Sequence, residues 1–262
     1  MIEVRGVTKT YGKRASAFTA LDDINFTIPD GKSVAILGKS GSGKSTLMHA
    51  ISGLDQPQQG EVLIDGMNIL KLKRKPLDTF RAKTIGFIFQ SFFVQANESC
   101  YDNVSLPLEI SNVKRGSRRA RVRTALESVD LGDKVTTKAK NLSGGQKQRL
   151  AIARAIVGRP RVLFADEPTG NLDSVTSEKV EDLLFGYARD NDATLILVTH
   201  DEDLSRKCDI IIRIKDGRIE SVIDTSVPPS PIEHGDMSVP PRDFESRGRI
   251  RIDVRGDNDE KN

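Results

Sequence analysis

Residues Gly38-Lys39-Ser40-Gly41-Ser42-Gly43-Lys44-Ser45 match the pattern GxxxxGK[ST], directly after the apolar run Ser33–Leu37 and before the helix-forming stretch Thr46–Ile51. The flanks predict a strand, a glycine-rich turn and a helix. Glycines let such a turn curl until successive amide hydrogens face inward, and the helix that follows adds its positive end. A loop of this kind holds phosphate oxygens. Lys44 is placed to reach the β and γ phosphates of a nucleotide, with Gly38–Thr46 wrapped around them and Ser45 as a magnesium ligand.

The rest of the chain supplies a sheet for that turn. Runs rich in β-branched and aliphatic residues recur at Ile24–Ile28, Ser33–Leu37, Glu61–Ile64, Ile85–Phe89, Val162–Ala165, Thr194–Val198 and Asp209–Ile214. Several are almost wholly apolar, as expected of strands covered by helices on both faces of a parallel α/β sheet. Asp216-Gly217, between Ile211–Ile214 and Ile219–Ile223, predicts a hairpin that closes the folded domain. From Ser105 to Asn141 the texture changes: Leu108, Val122, Leu126, Val129 and Leu131 are spread among charges, a helical pattern. The basic stretch Lys114–Arg123 within it reads first as a solvated helix face, and otherwise as a surface for anionic lipid headgroups or an acidic partner.

The run Arg161–Ala165 ends in the consecutive acids Asp166 and Glu167. Carboxylates at the carboxyl edge of a sheet can hold magnesium, and neighbours on a strand point to opposite sides, so the pair should divide the work. Asp166 is the candidate magnesium ligand. Glu167 is the candidate general base, placed to orient and polarise an attacking water. Earlier in the chain, Leu142-Ser143-Gly144-Gly145-Gln146 precedes a helical pattern carrying Leu150, Ile152, Ala153, Ile156 and Val157. Ser143 and the amides of Gly144 and Gly145 form a second anion site at a helix start, one that a nucleotide already held by the first loop does not need.

With 37% hydrophobic and 29% charged residues over 262 positions, most of the chain should fold. A formal charge of +3 is too small to mark a nucleic-acid-coating protein, and no nucleic-acid partner is expected. Cys100 and Cys208 have neither disulfide-framework nor zinc spacing and fit a reducing cytosol. Charges break every apolar run of the amino terminus, and no stretch reaches the roughly 20 apolar residues of a membrane-spanning helix. Any membrane association is therefore expected to run through a partner. Clustered prolines among polar residues predict a disordered tail over 226–262, in which Arg249–Arg255 alternates charge with apolar residues and could add a strand to a sheet edge.

Together, GKSGSGKST, LSGGQ and LFADEPTGNLD resemble the ABC-transporter ATPase family over roughly residues 1–224. That resemblance implies a P-loop NTPase core in the α/β class, with a mostly parallel sheet, an antiparallel β subdomain and an inserted α-helical subdomain at about 91–158, all within a domain of residues 1–225. It also implies ATP hydrolysis with Mg2+, and two copies assembled head to tail, Ser143–Gln146 of one closing on the ATP held by the Gly38–Ser45 loop of the other. Tyr11 resembles the aromatic residue that stacks on adenine. Gln90 resembles the glutamine that touches magnesium and the attacking water and links hydrolysis to the helical lobe. His200 resembles the histidine at the γ phosphate, and Asp173 lies in the short loop through which subunits read each other's site. His49 and His234 are given no role.

The string ADEPTGNLD with Ser105-Leu106-Pro107-Leu108 is similar to the lipoprotein-release, macrolide-export and cell-division branch, while Ser91–Tyr101 departs from that branch's pattern. The resemblance implies a subunit at the cytoplasmic face of the cell membrane, held there by a separate permease that it powers and that Ser91–Tyr101 should face. A gating ATPase that regulates a cell-envelope complex without moving a solute is the alternative.

Overall fold

The computed structural model describes residues 1–13 and 16–225; the predicted tail, its strand-like segment and His234 lie outside them. Strands β1 (Ile2–Tyr11), β2 (Phe18–Ile28) and β3 (Ser33–Leu37) lead into helix α1 (Lys44–Ile51). Next come β4 (Gln59–Ile64), β5 (Met67–Asn68), α2 (Arg74–Thr84) and β6 (Ile85–Ile88). Helices α3 (Cys100–Ile110), α4 (Arg115–Glu127) and α5 (Gly144–Ile156) follow, then β7 (Val162–Asp166) and α6 (Ser174–Asp190). The described fold ends with β8 (Thr194–Thr199), α7 (Glu202–Arg206), β9 (Ile210–Lys215) and β10 (Arg218–Asp224).

The central sheet has six strands in the order β10-β9-β3-β8-β7-β6, parallel except for the hairpin strand β10. Its near-continuous apolar strands are buried on both faces, as predicted, and the alternation of side chains divides them between two cores. Ala35, Leu163, Ala165, Leu195 and Leu197 face one core with α3, α4, α5 and α6. Val34, Ile36, Val162, Phe164, Ile196 and Val198 face the other with α1 and the strands of the second sheet. The helical segment thus has no core of its own; Leu108, Val122, Leu126 and Leu150 pack into the same cluster as the first face of the central sheet.

The second sheet is antiparallel, four-stranded, in the order β2-β1-β4-β5. The charged residues that obscure β1 in the sequence alternate with its core positions: Ile2 and Val4 point inward, and after an irregularity between Val4 and Val7 so do Val7 and Lys9. Gly6, at φ 59°, accommodates that irregularity. The predicted hairpin between β9 and β10 is present, and its Asp216 and Gly217 both have positive φ, the geometry that matches strand twist in a two-residue turn.

In-register pairing decides where functional loops emerge. Leu37 lies opposite Thr199, Asp166 opposite Val198 and Ile88 opposite Ala165, so β3, β8, β7 and β6 end side by side. The loops that follow them carry Gly38–Ser45, His200, Glu167 and Gln90 to one edge. Phe164 is fully buried under this edge and stacks on Phe87 at 5.4 Å between ring centroids. Phe164→Ala should lower unfolding stability by about 3–5 kcal/mol, read from chemical denaturation.

Candidate nucleotide site

The phosphate loop is shaped by contacts that admit no side chain. A Cβ on Gly38 would lie 2.4 Å from the Ile214 carbonyl oxygen, and one on Gly43 would lie 2.6 Å from that of Ala20. Gly43 also holds φ 105°, a conformation that only glycine adopts at little cost. The Gly217 amide of the hairpin donates to the Ser42 carbonyl at 3.0 Å and braces the loop from behind. Lys44 curls over the loop, its ammonium donating to the carbonyls of Gly38 at 2.8 Å and Lys39 at 3.0 Å.

Beside the loop lies a cavity of about 720 Å³. Lys39, Ser40, Gly41, Gly43, Lys44, Ser45 and Thr46 line one side of it, and Gln90, Asp166, Glu167 and His200 line the other. Gly38 and Ser42 open onto an adjoining cavity that His200 also lines. Tyr11 stands at the rim with Phe18, its cross-strand partner. Phe18 is a wall residue that the sequence reading missed. Its signal lay in the pairing of two strands, one of which charges had hidden.

Asp166 closes β7, and its Oδ1 accepts from the Ser45 hydroxyl at 3.4 Å across 121 residues of sequence. Burial raises the pKa of Asp166 above the ordinary carboxylate range, although His49, Ser45 and Lys44 pull it back. Serine, carboxamide and a single carboxylate are hard oxygen donors too few to cage a cation. That donor set fits magnesium, which keeps several ligands for water and substrate phosphates.

The strand alternation expected to separate the two acids does not extend to Glu167, because β7 ends at Asp166. Glu167 lies beyond the strand in left-handed backbone, φ 46°, with its amide donating to Val198 O at 2.9 Å. Its Oε1 is 2.9 Å from His200 Nδ1, so the candidate base and the candidate γ-phosphate residue are already in contact. Gln90 sits in the loop after β6, which ends at Ile88 rather than Phe89.

Ser143–Gln146 do not line this cavity. Ser143 caps α5 through a reciprocal box: the Gln146 amide donates to its hydroxyl at 3.3 Å, and its own amide donates to Gln146 Oε1 at 3.0 Å. Among the described residues outside its own helix turn, none stands where a Cβ on Gly144 would project. A Cβ on Gly145 would meet Thr176 Cγ2 at 2.7 Å, and Thr176 is held in turn by Asp173, the N-cap of α6. The structure therefore gathers the predicted residues into two groups, one around Lys44 and one joining Ser143–Gln146 to Asp173.

A glycine-wrapped helix start facing an Asp-Glu strand end, with the cavity between them, defines a P-loop nucleotide-binding protein. Comparison with known proteins narrows the class. The ABC transporter family profile matches residues 21–170. The chain is 43% identical to the lipoprotein-releasing system ATP-binding protein LolD of Syntrophus aciditrophicus, over 84% of this chain and 98% of that one. It superposes on a dimeric, post-hydrolysis structure of the ATP-binding cassette MJ0796 bound to ADP and Pi with TM-score 0.80 and 38% identity, covering 86% and 99% of the two chains. It is also similar to cbiO1 of Clostridium perfringens, described as part of the ABC transporter complex cbiONQ, at TM-score 0.76 and 32% identity, covering 86% and 88%. The chain belongs to the ABC transporter family and is its ATP-binding cassette, an ABC-type ATPase.

A raised pKa on Asp166 means that the folded protein binds its proton more tightly than the unfolded chain does, so the ionised carboxylate opposes folding above the ordinary range. Asp166→Asn should melt at a higher temperature than the parent at pH 7 without nucleotide or magnesium. That gain should shrink as pH falls through the raised value towards the ordinary carboxylate range, which thermal unfolding across pH will read.

Proposed function

We propose that two copies of this chain clasp ATP between them, Lys44's loop from one and Ser143–Gln146 from the other, and that hydrolysis reopens the pair to drive a membrane partner. The observation that carries this reading is the separation of the two anion-binding helix starts: Ser143–Gln146 lie outside the cavity that Lys44 lines. A nucleotide in that cavity leaves them free for a second nucleotide in another copy. Asp173, joined to Gly145 through Thr176, travels with them to the same seam.

Within each site the loop amides and Lys44 bind and orient the phosphates, and Tyr11 takes the adenine. Ser45 and Asp166, with Gln90 beside them, would hold magnesium, which would supply neutralisation of phosphate charge. Glu167 Oε1 holds the attacking water and accepts its proton. His200, released from Glu167, donates to the γ phosphate, so their 2.9 Å contact is the resting arrangement of two groups that separate around substrate.

A permease partner is supported by an apolar groove of about 570 Å³ on the far side of Gln90. Phe89 lines the groove and Gln90 lines the nucleotide cavity, so consecutive residues face the two. Phe93, Ile110 and Leu54 stand 68%, 53% and 41% exposed along it, a patch of the kind that marks protein contacts. Phe93 belongs to the segment 91–101, which departs from the branch pattern and is the stretch expected to face the permease. Among the described residues no helix is long and apolar enough to cross a membrane, so attachment at the cytoplasmic face would come from that partner.

Glu167→Gln should keep ATP binding, lose turnover by at least about a hundredfold and accumulate a closed dimer with magnesium-ATP, read by phosphate release and light scattering. Retained turnover overturns the role of Glu167; a monomer that binds ATP tightly yet never pairs overturns the shared site.

A further inference from the structure

Lys9 is a charge where β1 should carry an apolar side chain. It follows Val7 on the inward face and is only 6% exposed. Burying an ammonium is costly unless it is paired and hydrogen-bonded, and even a paired one rarely adds stability over an apolar residue. Its partners explain its presence. Lys9 Nζ donates to Asp55 Oδ1 at 2.6 Å and to the Gln56 carbonyl at 2.8 Å, and it lies 4.9 Å from the centroid of the Tyr11 ring. The Tyr11 hydroxyl donates to the other carboxylate oxygen, Asp55 Oδ2, at 2.6 Å. Asp55 thus grips both ends of a unit made of the ammonium and the phenol.

We infer that Lys9 and Asp55 are positioning residues that hold Tyr11 as a preformed platform for the base of the nucleotide, an inference that rests on the reading of Tyr11 as the base-stacking residue. The ammonium occupies the Tyr11 ring where cation–π attraction and the Asp55 bond act together, and the ring, 41% exposed, still lines the cavity. Burial tends to raise the Asp55 pKa, but hydrogen bonds from Lys9 and Tyr11 outweigh it and hold the group below its ordinary range, so the grip is charged at neutral pH.

Asp55 also spans the two sheets. Its amide and that of Leu54 donate to the His49 carbonyl in the last turn of α1, the helix that Lys44 begins. Tyr11 ends a strand of the antiparallel sheet, whereas α1 springs from the central one. Gln58 adds a second staple, exchanging hydrogen bonds with the amide and carbonyl of Thr10 at 2.9 Å each. One end of α1 therefore meets the phosphates and the other end, through Asp55, fixes the base platform. Platform and phosphate grip are set at one spacing before any nucleotide arrives, which reduces the ordering cost of binding.

The test is equilibrium binding to the full chain of magnesium-ATP and of inorganic tripolyphosphate, which has the phosphates but no base, together with steady-state turnover. Lys9→Met and Asp55→Asn should each weaken ATP about five- to tenfold and raise KM in step, leave kcat at saturation within about twofold, and leave tripolyphosphate binding unchanged. Lys9→Arg should restore most of the loss. Tyr11→Phe removes only the hydroxyl and endangers folding least; it should cost ATP a few-fold alone and nothing further in the Asp55→Asn background. Equal weakening of ATP and tripolyphosphate overturns the inference, because the pair would then support the whole site rather than the base end. So does unchanged ATP affinity in both variants while Tyr11→Ala weakens it, which leaves the reading of Tyr11 standing. Unchanged affinity in Tyr11→Ala itself overturns both.

Discussion

The nucleotide site depends on backbone packed against backbone where two sheets meet. The Gly38 α-carbon abuts the Ile214 carbonyl of β9 in the central sheet, and that of Gly43 abuts the Ala20 carbonyl of β2 in the antiparallel one. Gly217 presses on the same Ala20 carbonyl from the hairpin turn. Glycines let three segments converge where any methyl group would force them apart, so the curl of the phosphate loop is enforced from outside as much as by its own dihedrals. The inward-facing amides, the reach of Lys44 and the direction of α1 all follow from that junction.

Two helices carry this geometry outward. α1 runs from Lys44 to the segment that holds Asp55, linking the phosphate grip to the rim where Tyr11 stands. α5 begins at the Ser143 cap and touches both of the loops that flank the candidate base. Gln148 on α5 donates to the Pro168 carbonyl at 2.7 Å, one residue past Glu167. Arg154 on the same helix donates to the carbonyls of Phe93 at 2.7 Å and Phe92 at 3.1 Å, just past Gln90. A rigid element with its cap at a proposed seam and its side chains on two loops can pass a displacement from either to the other, because packed helices move as bodies rather than deform.

How much of this was legible in the residues follows the range of the interactions concerned. GxxxxGK[ST] between an apolar run and a helical stretch is a local signal, and so is Asp-Gly between two apolar runs; both elements are where the pattern put them. The strand Ser33–Leu37 keeps its predicted bounds because glycine punctuates one end. β1 was not read, since Glu3, Arg5 and Lys9 looked like interruptions and only the fold shows that two of them alternate with core positions while the third is itself buried. The helical segment begins at Cys100, earlier than the charge pattern indicated, because Ser99 and Asp102 form a capping box ahead of the apolar positions.

By itself the sequence determined the kind of chemistry: a glycine loop with lysine and serine, an acid pair after an apolar strand and a capped LSGGQ helix each encode their function within a few consecutive residues, where short-range sterics and hydrogen bonding suffice. Tertiary structure alone decided which of these meet. The order and register of β6, β7, β8 and β3 bring Gln90, Glu167 and His200 to Lys44, Ser143 lies outside that cavity, and β1 of the second sheet leaves Lys9 facing Asp55 and Tyr11. Those contacts join residues tens to more than a hundred positions apart, and strand pairing, which no local pattern specifies, sets their distances.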